Sequence, residues 1–217
     1  MMTALAPRTE AQIYTGYDHL RYLYTAALRE AETLLEILRC DFAHSLRRNP
    51  IHQIQSRVKS EESIREKLMR KQQSVSPQSA MKHLHDIAGL RIVCLTIEDV
   101  YAVSAWIKAQ ENLRLFRESD YIAEPKQNGY RSLHLIVELP VHLLDGTQWV
   151  QVEIQLRTLA MDLWASLEHQ LCYKKDALPP EVTEELRRCA DKIAGVDRQM
   201  QRLNDQMAAL GAETLPE

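Results

Sequence analysis

The stretch Trp149-Val150-Gln151-Val152-Glu153-Ile154-Gln155-Leu156-Arg157 alternates without a break. Val150, Val152, Ile154 and Leu156 fall on one side and Gln151, Glu153, Gln155 and Arg157 on the other, the period of a strand with one buried face. Upstream, residues 133–139 form another apolar run, and Asp145-Gly146 between the two is a hairpin turn signal. The two strands are therefore expected to pair antiparallel. A register centred on Leu144-Asp145 sets His134 opposite Gln155. Residues 90–97 are almost continuously apolar and β-branched, broken only by Arg91 and Thr96, which predicts a buried strand. Asp99 opens a helix carrying Val103 and Ile107, and Thr158 caps one bearing Leu163, Leu167 and Leu171. Helices that interleave with strands around one hairpin predict an α/β (α+β) fold, a mixed sheet flanked by helices.

Towards the N-terminus, residues 11–40 space Leu20, Leu23, Leu34, Ile37 and Leu38 at helical intervals and read as one or two amphipathic helices. A helix over residues 60–72 has Ser60 as its cap, with Glu61 and Glu62 in the first turn. Residues 74–79, with Pro77, read as a polar linker. After Pro179-Pro180 a last helix runs to about Leu210. There Val182, Leu186, Cys189, Ile193, Val196, Met200, Leu203, Met207 and Leu210 recur at alternating steps of four and three, a seam that wants a partner helix. The expected organisation is a helical segment over 1–48, a central domain over 49–175 and an amphipathic helix over 176–217 for oligomerisation.

The chain has 217 residues, 45% hydrophobic and 26% charged, with a net charge of −3. That is the balance of a soluble globular protein, and any anion site must be local. No run approaches the length of a membrane span, and nothing at the start resembles a signal peptide, which points to the cytoplasm. Cys40, Cys94, Cys172 and Cys189 form no C-x-x-C pair and read as reduced packing thiols.

The chain has six glycines and neither a P-loop nor a G-x-G-x-x-G motif, so a polyphosphate would have to be held by side chains. Arg57, Lys59, Arg65, Lys67, Arg70 and Lys71 supply such a cluster beside three acids. Ser63, Lys67, Arg70 and Lys71 form one helical stripe, with Ile64 and Leu68 turned to the core. A solvated charged face would look the same. Three readings fit His83-Leu84-His85-Asp86: metal binding by both histidines, a phosphohydrolase of the HD type, or an aspartate holding magnesium. Asp86 with Glu153 suits Mg²⁺, a hard, largely hydrated ion. In residues 120–134, Pro125 and Asn128-Gly129 mark a turn, Tyr130 can lie against a base, and Lys126 and Arg131 can meet phosphates.

Four runs in this order, RVKSEESIREKLMRK, HDIAGLRIVC, DYIAEPKQNGYRSLH and VEIQLRTLAMDLWASLEH, closely resemble the synthetase domain of the RelA/SpoT alarmone family, over about residues 49–175. The absence of other domains resembles its small, RelQ-like members. The resemblance implies a nucleotidyltransferase-like fold with a C-terminal helical extension. It implies transfer of the β,γ-pyrophosphoryl group of ATP to the 3′-hydroxyl of GTP or GDP, giving AMP and pppGpp or ppGpp. By motif position, Arg57, Lys59, Ser63, Lys67, Arg70 and Arg91 would bind ATP, with Arg57 and Arg91 clamping the adenine. Lys126, Tyr130, Arg131, His134 and Gln155 would form the acceptor site, with Tyr130 stacking guanine. Asp86 and Glu153 would hold Mg²⁺, and Glu153 would act as base. A homotetramer and product binding between subunits occur in relatives.

One departure stands out. Ser119 occupies a position that is basic in many relatives; Arg117 is the nearest base. The short N-terminal segment leads to the expectation of synthesis without hydrolysis. A regulator that binds nucleotide or RNA without turnover, and a pyrophosphokinase with another acceptor, are the alternatives.

Overall fold

In the computed structural model, residues 16–45, 48–172 and 178–212 are described. The expected starts at Ala11 and Asp176 lie outside them. The elements are α1 (Tyr17–Ser45), β1 (Ile51–Val58), α2 (Glu61–Arg70), α3 (Pro77–His83), β2 (Ala88–Cys94), α4 (Ile97–Lys108), β3 (Arg114–Asp120), β4 (Leu133–Leu143), β5 (Gly146–Thr158), α5 (Leu159–Cys172) and α6 (Pro180–Ala212).

The five strands form one mixed sheet in the order β1-β2-β5-β4-β3. β2 and β5 run parallel, and the other neighbours antiparallel. His134 faces Gln155 across the β4–β5 hairpin, as the turn-centred register predicts. Both hairpin strands run further than their apolar cores indicate, because backbone pairing continues to Leu143 and Gly146. Gly146 has φ +131°, a conformation that L-residues rarely adopt.

Val150, Val152, Ile154 and Leu156 enter the core, while Gln151, Glu153 and Gln155 stay half-buried on the opposite face. The core face is covered by α1, through Leu20, Leu23, Leu35 and Leu38, and by α4, through Val100, Val103 and Ile107. The N-terminal segment thus contributes one long helix. At α4 the cap is Thr96, in a capping box with Asp99. Asp99 is fully buried and offset by Arg48 at 2.7 Å.

Residues 74–79 are not all linker: Ser76 caps α3 and Pro77 begins it. Two strands, β1 and β3, carry no apolar alternation that would announce them. Leu163, Leu167 and Leu171 lie on the solvent side of α5, whereas Met161, Trp164 and Ala165 face inward. All four cysteines are free. Cys94 is a core thiol, but Cys40 is exposed rather than packed.

Candidate active site

The open face of the sheet gathers most of the residues singled out above. Of the residues expected to bind ATP, Lys59 leaves the strand where β1 ends at Val58, beside the β2 entrance, and its N–H donates to the Ile87 carbonyl at 2.8 Å. Ser60 caps α2 by accepting from the Ser63 N–H, and its hydroxyl donates to the Ser63 hydroxyl at 2.9 Å. Ile64 and Leu68 anchor α2 in the core, which turns Lys67 toward Asp86. Lys59 Nζ lies 2.6 Å from Asp86 Oδ2, and Lys67 Nζ donates to the same oxygen. Asp86 Oδ1 is buried without a hydrogen-bond partner.

Burial would raise the Asp86 pKa, but the hydrogen bonds and charges of Lys59 and Lys67 outweigh it and hold the carboxyl below its ordinary value. Burial pulls Lys59 down; Asp86 works against that, and Lys67 and Arg57 add to it. Arg57 sits opposite Gly89, and Arg91 opposite both Gln55 and Gln155. Arg70 is at the exposed end of α2.

The 126–130 turn, which carries residues expected to bind the acceptor, closes on itself. Gly129 N–H donates to the Lys126 carbonyl at 2.8 Å, Lys126 N–H to the Tyr130 carbonyl at 3.2 Å, and Tyr130 N–H to Asn128 Oδ1 at 3.2 Å. Lys126 Nζ lies 4.5 Å from the Tyr121 ring centre and 4.8 Å from that of Tyr130, within cation–π range.

Five side chains then close a ring of hydrogen bonds. Arg157 Nη2 donates to the Tyr130 phenol at 2.6 Å, and the phenol meets His134 Nε2 at 2.8 Å. His134 Nδ1 lies 3.3 Å from Glu153 Oε1. Gln155 Nε2 donates to Glu153 Oε2 at 2.8 Å, and Arg157 Nη2 donates back to Gln155 Oε1 at 2.8 Å. Both ring nitrogens of His134 are thus engaged, Nε2 by the Tyr130 phenol and Nδ1 by Glu153.

Burial would raise the Glu153 pKa. The hydrogen bond and charge of His134, then Gln155, overcome it and keep the carboxyl below its ordinary value, while Asp86 pushes it upward. Asp86 therefore acts on Glu153 electrostatically, and Gly89, three residues after Asp86, is the β2 partner of Glu153. Among the described residues no group of three or more His, Cys, Asp or Glu could hold a metal ion. His85 is engaged by Gln151 Oε1 at 2.6 Å and packs its ring 5.2 Å from Phe116.

Arg131 is not gathered with Tyr130, His134 and Gln155. Its Nη1 donates to the Ala190 carbonyl of α6 at 3.2 Å, because the next residue of the loop, Ser132, is fully buried and turns it outward. The same loop touches α6 through Gly129. That residue has φ +91°, and a Cβ there would lie 2.5 Å from the Ala190 Cβ. Ser119 faces His134 across β3–β4, with Arg117 exposed two residues before it. Arg157 and Asp162 are site residues that the sequence reading did not single out; Arg157 carried a signal, since it shares a strand face with Glu153 and Gln155.

Cationic side chains thus approach a pair of carboxylates from two directions, an arrangement suited to moving a phosphoryl-type group between two polyanions. Residues 56–177 match the family described as "Region found in RelA / SpoT proteins". The chain is 45% identical over 179 residues to the GTP pyrophosphokinase YwaC of Bacillus subtilis, covering 82% of this chain and 85% of that protein. It is 36% identical over 185 residues to the GTP pyrophosphokinase YjbM of the same organism, covering 85% and 86%. Among solved structures, small alarmone synthetase 2 from B. subtilis superposes with a TM-score of 0.80 at 42% identity, over 88% of this chain and 98% of that one. Small alarmone synthetase 1 from B. subtilis, bound to its product pppGpp, superposes with a TM-score of 0.78 at 35% identity, over 84% and 93%. The chain belongs to the RelA/SpoT family.

Proposed function

We propose that the protein is a (p)ppGpp synthetase, transferring the β,γ-pyrophosphoryl group of ATP to the 3′-hydroxyl of GTP or GDP. The observation that carries this reading is the hydrogen-bonded ring joining Tyr130 to Glu153, beside an aspartate held by two lysines. Glu153 accepts the 3′-hydroxyl proton. The oxygen attacks the β-phosphorus in line, an O3′–P bond forms, and the bond from the β-phosphorus to the bridging oxygen breaks, so AMP leaves with that oxygen. Arg57 and Arg91 hold the adenine between guanidinium planes, and Lys59, Lys67 and Arg70, with Ser63, meet the triphosphate. Tyr130 stacks the guanine, with Lys126, His134 and Gln155 around it.

The orphaned Asp86 oxygen and the adjacent Glu153 carboxylate fit Mg²⁺, which completes its shell with water and phosphate rather than further protein ligands. When bound, the ion offsets phosphate charge and polarises the transferred group. Incubation with Mg²⁺, labelled ATP and each of GMP, GDP, GTP and ATP tests the proposal: the labelled pyrophosphoryl group should appear on guanine nucleotides. Transfer to an adenine nucleotide alone, or none at all, would overturn it.

Tyr130→Ala is expected to raise the KM for the guanine nucleotide about tenfold, the loss of ~1–3 kcal/mol of stacking, with a much smaller change for ATP. Equal loss on both substrates, measured by initial rates, would count against the stacking role. His134→Ala removes the leading cause of the low Glu153 pKa and leaves burial and Asp86 acting upward. The acid limb of kcat/KM, which reports the free enzyme, should therefore move to higher pH; an unmoved limb would detach it from Glu153.

Leu159, Leu163, Leu167 and Leu171 form an exposed apolar row on α5, and Val196, Met200, Leu203, Met207 and Leu210 form another on α6. Leu186, Cys189 and Ile193 of the same heptad series instead pack on Trp164, Ala165 and Ala190. Exposed rows of this length support a homo-oligomer, a tetramer in our reading; the alarmone product as a regulator rests on the family resemblance alone. No helix among the described residues is long and apolar enough to cross a membrane. We place the enzyme in the cytoplasm, alongside its nucleotide substrates.

A further inference from the structure

We infer that Asp162 is a positioning residue that couples the two nucleotide sites, so that a loaded donor site tightens the acceptor site. This rests on the proposed assignment of Arg91 to ATP and Tyr130 to the guanine nucleotide. One oxygen, Asp162 Oδ1, receives Arg91 Nη1 at 3.2 Å and Arg157 Nη1 at 3.1 Å. Arg91 belongs to the donor side. Arg157 belongs to the acceptor side, where it holds the Tyr130 phenol at 2.6 Å and the Gln155 carbonyl oxygen at 2.8 Å. Asp162 is therefore the only side chain among the described residues seen to bond both guanidinium groups.

The charges make the sharing consequential. The Arg157 side chain is 5% exposed and that of Asp162 is 19% exposed, so the pair is poorly screened. Burial, followed by the charge of Arg157, pulls the Arg91 pKa down, and Asp162 is the acidic group that opposes this. Arg91 Nε is also buried without a partner. A single carboxylate oxygen divided between two guanidinium groups holds each less firmly than it would hold one.

A purine that draws Arg91 into a stack weakens its claim on Oδ1. Asp162 then bears on Arg157 alone. Arg157 in turn fixes the phenol and the Gln155 amide, which donates to Glu153. The guanine platform and the general base are both steadied, and by linkage the acceptor must strengthen donor binding by the same factor. Asp162 touches neither substrate in this scheme; it acts through the two arginines.

Titration calorimetry of the full chain tests the coupling. GDP is titrated with and without saturating ATP analogue carrying a methylene group between the α- and β-phosphorus, which cannot be cleaved there. In the wild type the analogue should tighten GDP binding about fivefold or more, the usual scale of site coupling. In Asp162→Asn the tightening should fall below about twofold, whatever happens to the two separate affinities; a purely structural role would alter those affinities and leave the ratio. Equal tightening in wild type and variant, or none in the wild type, overturns the inference. Should Asp162→Asn lose its thermal transition, Arg91→Gln serves instead. It leaves Arg157 alone on Asp162, so GDP alone should bind as tightly as it does to the analogue-loaded wild type, and binding no tighter than to the free wild type overturns the inference. Alarmone formation by the wild type with unchanged coupling in the variants removes only this inference. No alarmone from any guanine nucleotide removes the site reading as well.

Discussion

Glu153→Gln should lower alarmone formation by about 10²- to 10⁴-fold, the range that a positioned general base supplies. Glutamine is close to isosteric and keeps a carbonyl oxygen able to accept from His134 or Gln155, but it cannot take the 3′-hydroxyl proton. The fold should survive. In the parent, the low Glu153 pKa contributes stability above the ordinary glutamate range and loses it as pH falls through the folded value. Glutamine forfeits that contribution at neutral pH and also removes the repulsion with Asp86, so the net change should be about 1 kcal/mol or less. Turnover measured beside a thermal melt separates the two effects. A near-normal rate would remove Glu153 from the chemistry.

Asp86→Asn should be comparably damaging for a different reason. The aspartate is the shared counterion of Lys59 and Lys67, and its second oxygen is the one left without a partner. Asparagine leaves two ammonium groups side by side and presents a neutral ligand to a divalent ion. A loss of several kcal/mol of electrostatic stabilisation corresponds to about a hundredfold or more in turnover. The Mg²⁺ concentration needed for half-maximal activity should also rise. Rates followed over a Mg²⁺ series check this, and an unaltered Mg²⁺ dependence would take Asp86 out of the metal site. The depressed Asp86 pKa carries the same sign as that of Glu153. Its contribution to stability is present above the ordinary aspartate range and disappears as pH drops through the folded value.

The central part of this arrangement is legible in the sequence because its strands have one face in the core. β5 alternates strictly, and a turn at Asp145-Gly146 sets its register with β4, so the meeting of His134 and Gln155 follows from spacing. β1 and β3 escape the same reading because they are edge strands. β3 is exposed along most of its length, and β1 buries only Ile51 outright, so neither has an apolar period to detect. The start of α3 did carry a signal, serine followed by proline, but within a Ser- and Gln-rich stretch that pair also marks a turn. Arg157 and Asp162 illustrate a different limit. Each has an ordinary place, one on a strand face and one in the first turn of a helix. Their importance comes from what the sheet brings to them: a phenol 27 residues upstream of Arg157, and an arginine on the parallel neighbour strand. Arg131 is the converse case: a cation in a polar loop reads as a phosphate ligand, and the fold adds a contact with the Ala190 carbonyl of α6 that its spacing does not announce.

The bare glycine at 129 has a consequence for how such enzymes can be rebuilt. With no side chain to hold them apart, the loop bearing Tyr130 and the helix bearing Ala190 rest directly on one another. Grafting residues 49–175 onto a foreign tail would leave the lip formed by the Tyr130 loop without its backing, unless the new helix offered an equally small residue at that height. Swapping Ala190 for something bulky would wedge the lip outward. The tail helix and the Tyr130 loop are thus tied through one close contact, and a larger residue on either side would displace the other.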